Sequence, residues 1–303
     1  MILHFIYDTK PDEGAQLIRG LSFVVHNMFG LILAIITSCS QECVLKLYQN
    51  WHGHGSCVHN LNHTEPFGPD LETPPQHPVF VYTDIESSSW LWNCNSEIMR
   101  VSTDIHDNII RSAIVKYRGY EITTAGDAFQ IAFRTIHDAI EFCINVQLQL
   151  LNASWPKELH TMVPATYHVR SGRRAIFNGI RVRMGVHDAA ECEGKLVQDL
   201  HSVTKKATYT GVSEVIVEDV ADQARGGEIL VTGRVAQWLQ TYQGTLSSPI
   251  AINCVGACVV PYVNTSVDLW QVLPFALSDR ARVFSVAPVA LKPAATTKID
   301  SQC

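Results

Sequence analysis

Charge is what this chain of 303 residues has least of: Asp, Glu, Lys and Arg make up 17% of it, against roughly 25% in an average soluble domain. It has no long basic run, and 23 basic against 29 acidic residues leave a net charge of −6. That excludes a basic nucleic-acid-binding stripe. The nine cysteines are scattered along the chain, without the dense spacing of a small disulfide scaffold. No internal repeat is visible. What is present is apolar: 47% of residues are hydrophobic and 9% aromatic. This much apolar side chain can bury a core, which excludes disorder over most of the length. The length fits one sizeable domain with appendages, or two small domains.

Part of the charge deficit lies near the N-terminus. From Gly20 to Gln41 there is no formally charged residue. A membrane-spanning helix needs ~20 mostly apolar residues, so the length suffices. His26, Asn27 and the polar end Ser38–Gln41 weaken that reading and leave a buried amphipathic helix beside it. Lys10 and Arg19 before the window and Lys46 after it do not fix an orientation. Residues 50–78 are rich in Gly and Pro and read as a linker. This segment contains His52, His54, Cys57, His59 and His63, but their spacing matches no established zinc pattern. The resulting division is an N-terminal segment at 1–45, a linker at 46–76, a domain at 77–275 and a tail at 276–303.

Within the domain, Val79–Thr83 is a short β-prone run. Ile98, Val101, Ile105, Ile109, Ala113 and Tyr117 recur at helical spacing. Tyr120–Thr124 and Phe129–Phe133 read as strands joined by a tight turn at Ala125-Gly126-Asp127. A helix spans about Ile136–Leu151. A basic, irregular insertion runs to Asn178, and a strand covers Ile180–Val186. The order strand, helix, strand, strand, helix, strand is the split βαβ arrangement of ferredoxin-like folds, hence α+β. A helix at about Val215–Ala224, a strand at Glu228–Thr232 and β-rich material through Val272 follow. Cys254 and Cys258 lie in an apolar strand-like run and are expected to be buried.

Two acidic residues sit where chemistry would want them. Asp84 closes the first strand and Asp127 lies in the hairpin turn. In a split βαβ sheet those positions are neighbours, so both carboxylates can face one point. Paired carboxylates are hard oxygen ligands for Mg²⁺, which commonly bridges them to substrate phosphates. The small residues Ser87 and Ser88 can offer backbone N–H groups to a polyphosphate at a helix start. The alternative is local, with Asp84 as an N-cap and Asp127 as a turn residue. Spacing alone leaves both open.

The stretch Phe80-Val81-Tyr82-Thr83-Asp84-Ile85-Glu86-Ser87-Ser88 resembles the opening motif of class III nucleotide cyclases. Matching pieces follow in the family's order: Tyr117–Glu121, Gly126–Phe129, Gly179–His187, Gly226–Thr232 and Asp268–Val272. Leu91-Trp92 and Val203-Thr204-Lys205 make the chain similar to the receptor-type adenylate cyclases of kinetoplastids. The resemblance implies two domains paired head to tail, as a homodimer or a heterodimer with another cyclase domain. ATP would be the substrate, and cyclic AMP and pyrophosphate the products. Two Mg²⁺ or Mn²⁺ ions would sit on Asp84, Asp127 and the carbonyl of Ile85. Nucleotide contacts would come from Glu86, Ser87, Ser88, Thr123 and Thr208. It also implies membrane association with the cyclase domain on the cytoplasmic side, or alternatively a soluble cytoplasmic protein.

The departures from the pattern are as informative. The family's ribose-orienting asparagine falls on Val215, and its transition-state arginine falls on Asp219. The adenine-reading lysine falls on Thr123, and a phosphate-binding lysine falls on Pro261. His187-Asp188-Ala189 replaces a His-Thr-Gly or His-Ser-Gly. The metal half of the site is kept, while the catalytic asparagine and arginine are both gone. The expectation is a chain that turns over only beside a complete partner domain. The alternatives are a catalytically dead regulatory or scaffold module and a nucleotide sensor.

Overall fold

The computed structural model describes residues 73–189, 193–201, 206–261, 263 and 265–285. The apolar window at 20–41, the histidine-bearing linker and the last residues of the tail lie outside them. Among the described residues no helix is long and apolar enough to cross a membrane.

The elements are β1 (Val79–Ile85), α1 (Ser88–Cys94), α2 (Ser96–Lys116), β2 (Tyr120–Ala125), β3 (Ala128–Phe133), α3 (Ile136–Asn152), β4 (Val169–Ser171), β5 (Arg174–Phe177), β6 (Val182–Asp188), β7 (Val197–Leu200), β8 (Ala207–Thr210), α4 (Val212–Gln223), β9 (Ile229–Thr232), α5 (Gly233–Tyr242), β10 (Ile250–Val260), β11 (Thr265–Pro274) and α6 (Arg280–Ser285). Seven strands form one sheet in the order β10-β11-β9-β6-β1-β3-β2. The β6-β1-β3-β2 part is the ferredoxin-like arrangement read from the sequence, all antiparallel. Strand β9 adds beside β6 in parallel. Pairs β4–β5 and β7–β8 form two small separate sheets.

The period-2 alternation of β1 decides which residue faces what. Val79, Val81 and Ile85 join Phe129, Ile131 and Phe133 of β3 under α2 and α3 in the main core. Phe80 faces the other way and packs with Val217 of α4. Asp84, in phase with Phe80, therefore belongs to the α4 face. On β6, Val182, Met184 and Val186 join the main core, which leaves Arg183 and Gly185 on the α4 face. Gly185 is required there: a Cβ would lie 2.6 Å from the Ala221 nitrogen and 2.7 Å from the Val217 oxygen. The α4 backbone rests directly on β6.

Several boundaries differ from the sequence reading. Helix α4 starts at Val212, three residues early, because Gly211 and the polar pair Ser213-Glu214 hid its first turn from the apolar pattern. Asn95 breaks the first helical region in two and caps α2 by accepting from the Glu97 and Ile98 N–H groups. The basic insertion contains two 3₁₀ turns and the β4–β5 hairpin. Cys258 is buried as expected, but Cys254 is exposed. A register irregularity between Cys254 and Gly256 breaks the alternation that would have put both thiols on one face.

Candidate functional site

Asp84 lies inside β1 and is not a helix N-cap. The cap position of α1 belongs to Ser87, at φ 63° in the left-handed region, without a side-chain capping bond. A non-glycine residue held there stores local strain of the kind that gathers at functional loops. The β2–β3 turn is the dipeptide Gly126-Asp127, with Gly126 at φ 66°. Pairing of Thr83 with Phe129 lays this turn beside the end of β1. The Ile85 N–H donates to Asp127 Oδ2 at 3.2 Å. Burial, and then the charge of Asp84, push the Asp127 carboxyl up from its ordinary pKa, while hydrogen bonds from Ser88 and the backbone oppose the shift. Two carboxylates close enough to repel, beside the Ile85 backbone, suit a divalent cation. Among the described residues no group of three or more His, Cys, Asp and Glu converges. The remaining ligands would be backbone, water or substrate oxygens, as is usual for Mg²⁺.

Asp127→Asn removes this repulsion while keeping an acceptor for the Ile85 N–H. The metal-free variant is expected to melt higher than the unmodified protein and to gain less from added Mn²⁺, both readable in thermal scans. The sign with pH follows from the raised carboxyl. Its stability contribution is present below its ordinary pKa and is lost as pH rises through the native value.

Asp84 has a partner that the sequence reading missed. Arg183 stands directly opposite it across β1 and β6 and donates Nε and Nη2 to Asp84 Oδ2, at 2.9 and 2.5 Å. The strand register was the available signal. Glu86 is turned away from this pair: its Oε1 accepts the Gly226 N–H at 3.1 Å. A cleft of about 540 Å³ opens beside the loop, lined by Glu86, Ser87, Trp90, Pro164 and Arg181 among others.

The remaining expected site residues lie elsewhere. Val215 packs against an apolar cluster containing Cys258, Val260 and Leu269, on the β10–β11 side of α4. Asp219 lies on the same flank, where its Oδ2 is 4.0 Å from Cys258 Sγ. Burial, and then the charge of Asp219, raise that thiol's pKa to about 11. The flank of α4 toward β3 carries Glu214, which accepts from Gln130, while Asp222, two turns beyond Val215, reaches Arg183 from the last turn. One chain thus holds Asp84 and Asp127 on one side of α4, and Val215 and Asp219 on the other. Thr123 is exposed on edge strand β2. Thr208 on β8 donates to the Asp199 carbonyl at 3.3 Å. Strand β8 joins β2 where the Ala207 N–H meets the Tyr120 hydroxyl at 2.7 Å. Pro261 is exposed just after β10. His187 is buried between Thr232, 3.1 Å away, and Glu193, 2.8 Å away.

A ferredoxin-like sheet with two aspartates meeting at the end of its first strand is consistent with a class III nucleotide cyclase domain. The chain belongs to the family described as the adenylate and guanylate cyclase catalytic domain, which it matches over residues 73–262. An adenylate cyclase of Lachancea kluyveri is 34% identical over 164 residues, 54% of this chain and 9% of that protein. A receptor-type adenylate cyclase of Trypanosoma brucei brucei is 27% identical over 223 residues, 67% of this chain and 18% of that protein. The chain thus spans less than a fifth of the length of either relative. A solved adenylate cyclase of Trypanosoma brucei, in its monomeric state, superposes with a TM-score of 0.55 at 26% identity. That match covers 67% of this chain and 92% of that one.

Proposed function

We propose that this chain is the metal-carrying half of a two-part adenylate cyclase, converting ATP to cyclic AMP and pyrophosphate beside a domain that supplies the missing residues. The observation that carries the reading is the split across α4. Asp84 and Asp127 meet on one flank, while the positions that orient ribose and stabilise the transition state in the family fall on the other, as Val215 and Asp219. No hydroxyl or cation at Val215 or Asp219 can serve a nucleotide.

In this reading Asp84, Asp127 and the Ile85 carbonyl would hold two Mg²⁺ or Mn²⁺ ions, which when bound would acidify the ribose 3′-hydroxyl and neutralise the leaving pyrophosphate. The new bond would join O3′ to the α-phosphorus, the bond to pyrophosphate would break with both its electrons going to the leaving group, and the 3′-hydroxyl proton would pass to water. Backbone N–H groups at Ser87 and Ser88 face the phosphates. Arg181, which lines the cleft with Ser87, and Arg183, held on Asp84, are cations beside that loop. In the site that holds Asp84 and Asp127 the adenine-reading positions, Thr123 and Thr208 in this chain, would be filled by the partner domain's residues, its lysine among them. Residues 77–275, together with the packed segment through Ser285, act as the catalytic unit, with membrane attachment through 20–41.

The packing of Val215 among apolar side chains also favours a second reading, a catalytically dead cyclase-fold scaffold. One assay separates the two. The full chain is incubated with Mn²⁺ and ATP, alone and mixed with a cyclase domain whose own two metal aspartates are replaced by alanine. The expected result is no cyclic AMP from either protein alone, turnover on mixing, and loss of that turnover in Asp84→Ala. No gain on mixing favours the scaffold, and clear turnover by the lone chain sinks the incomplete-site argument.

A further inference from the structure

Arg183 occupies one of the two carboxylate oxygens that a cation on Asp84 could use. Both of its contacts fall on Asp84 Oδ2, and Nη2 also lies 3.1 Å from Asp222 Oδ1. The Asp222 side chain is 47% exposed on the last turn of α4, so core packing does not call for an acid there. Other charged or titratable groups close by are Glu218 of α4 and Tyr82 of β1. The Tyr82 hydroxyl is pushed up to about 12 by burial and by Glu218, Asp84 and Asp222.

We propose that Asp222 is a positioning residue for the metal site: it gives Arg183 a second carboxylate to hold, so that the guanidinium can release Asp84 when a divalent cation arrives. The inference rests on the reading of Asp84 as a metal ligand. A guanidinium has five donors in a rigid fork and can bridge two carboxylates. With Asp222 in place, Arg183 keeps an anionic partner after leaving Asp84. Without Asp222, release would strip the guanidinium of its only carboxylate contact at this site, and Arg183 would compete harder with the metal.

The test is Mn²⁺ binding by the full chain without nucleotide, followed through the paramagnetic resonance of free Mn²⁺. Asp222→Asn is expected to weaken binding about threefold, the scale of a partly exposed ion pair. Asp222→Glu should restore it to within about twofold. Arg183→Gln should tighten binding, and in that background Asp222→Asn should shift it by less than about 1.5-fold. An unchanged affinity in Asp222→Asn overturns the proposal. So does an equal shift in the Arg183→Gln background, which would make Asp222 a through-space charge. Asp84→Ala separates the two layers. If it abolishes Mn²⁺ binding while Asp222→Asn is silent, only the positioning role falls. If it leaves binding unchanged, the metal site and the positioning role fall together.

Discussion

The chain carrying Val215→Asn together with Asp219→Arg is expected to make cyclic AMP from Mn²⁺–ATP at least about 10²-fold faster than the unmodified chain, because one electrostatic stabiliser is typically worth about 10²–10³ in rate. The two positions are one helical turn apart, so their side chains project together from one flank of α4. In a head-to-tail pair they would face the metal aspartates of the other copy. In such a homodimer Asp219 would put a negative charge beside the triphosphate in both sites, and the arginine would reverse it. The substitutions have a structural cost. Val215 is half-buried against apolar neighbours, and placing an amide there costs about 1–3 kcal/mol unless it finds a partner. The arginine stem can lie along the same apolar surface while its head stays wet. Measured cyclic AMP production decides the matter. If a folded double variant stays silent, the deficit extends to Thr123 and Pro261.

The second large effect is on stability. Arg280→Ala is expected to destabilise the fold by about 3–5 kcal/mol, from orphaned buried acceptors plus a cavity. Arg280 is 3% exposed. Its Nε donates to the Ile176 carbonyl at 2.8 Å, and its Nη1 donates to Gln147 Oε1 at 2.7 Å and to the Gly227 carbonyl at 2.9 Å. Its guanidinium carbon lies 4.6 Å from the centre of the Phe177 ring. Burial, and then the nearby charge of Arg181, lower its pKa to about 9, so the charge persists at neutral pH. Arg280→Lys should fall between, since an ammonium cannot reproduce the fork. Denaturant titration measures both. A loss under about 1 kcal/mol in Arg280→Ala would mean that water or a rearranged Gln147 replaces the arginine. The effect should reach the site, because Gly227 adjoins Gly226, whose N–H holds Glu86.

The parts of the fold legible in the sequence were those with a strong local signature. The β1 run, the Gly126-Asp127 turn and the α3 pattern each declared themselves through period or turn chemistry. Asp84 and Asp127 meet as the split βαβ order implied. What stayed hidden depended on pairing between distant segments. Arg183 gave no sign of being the partner of Asp84, because only the register of two strands far apart in sequence puts them opposite each other. Cys254 was misread because a bulge cannot be seen in an alternating pattern. The first turn of α4 was missed because its polar residues carry no apolar period. Glu86 was read through its motif, yet its side chain is engaged by a backbone N–H contributed from beyond α4.

The pairing of Asp84 with Arg183 has a kinetic consequence. A one-residue slip of β1 against its neighbours would turn Asp84 into the core beneath α2 and α3 and bring Phe80 out toward α4. The proposed metal ligands therefore exist as a pair only once β1 and β3 have locked in register, with Thr83 opposite Phe129 across 46 residues of chain. Pairings that distant form late and slowly. During refolding, capacity to bind Mn²⁺ should emerge after helix formation and together with completion of the sheet, which makes the ion a probe of strand registry.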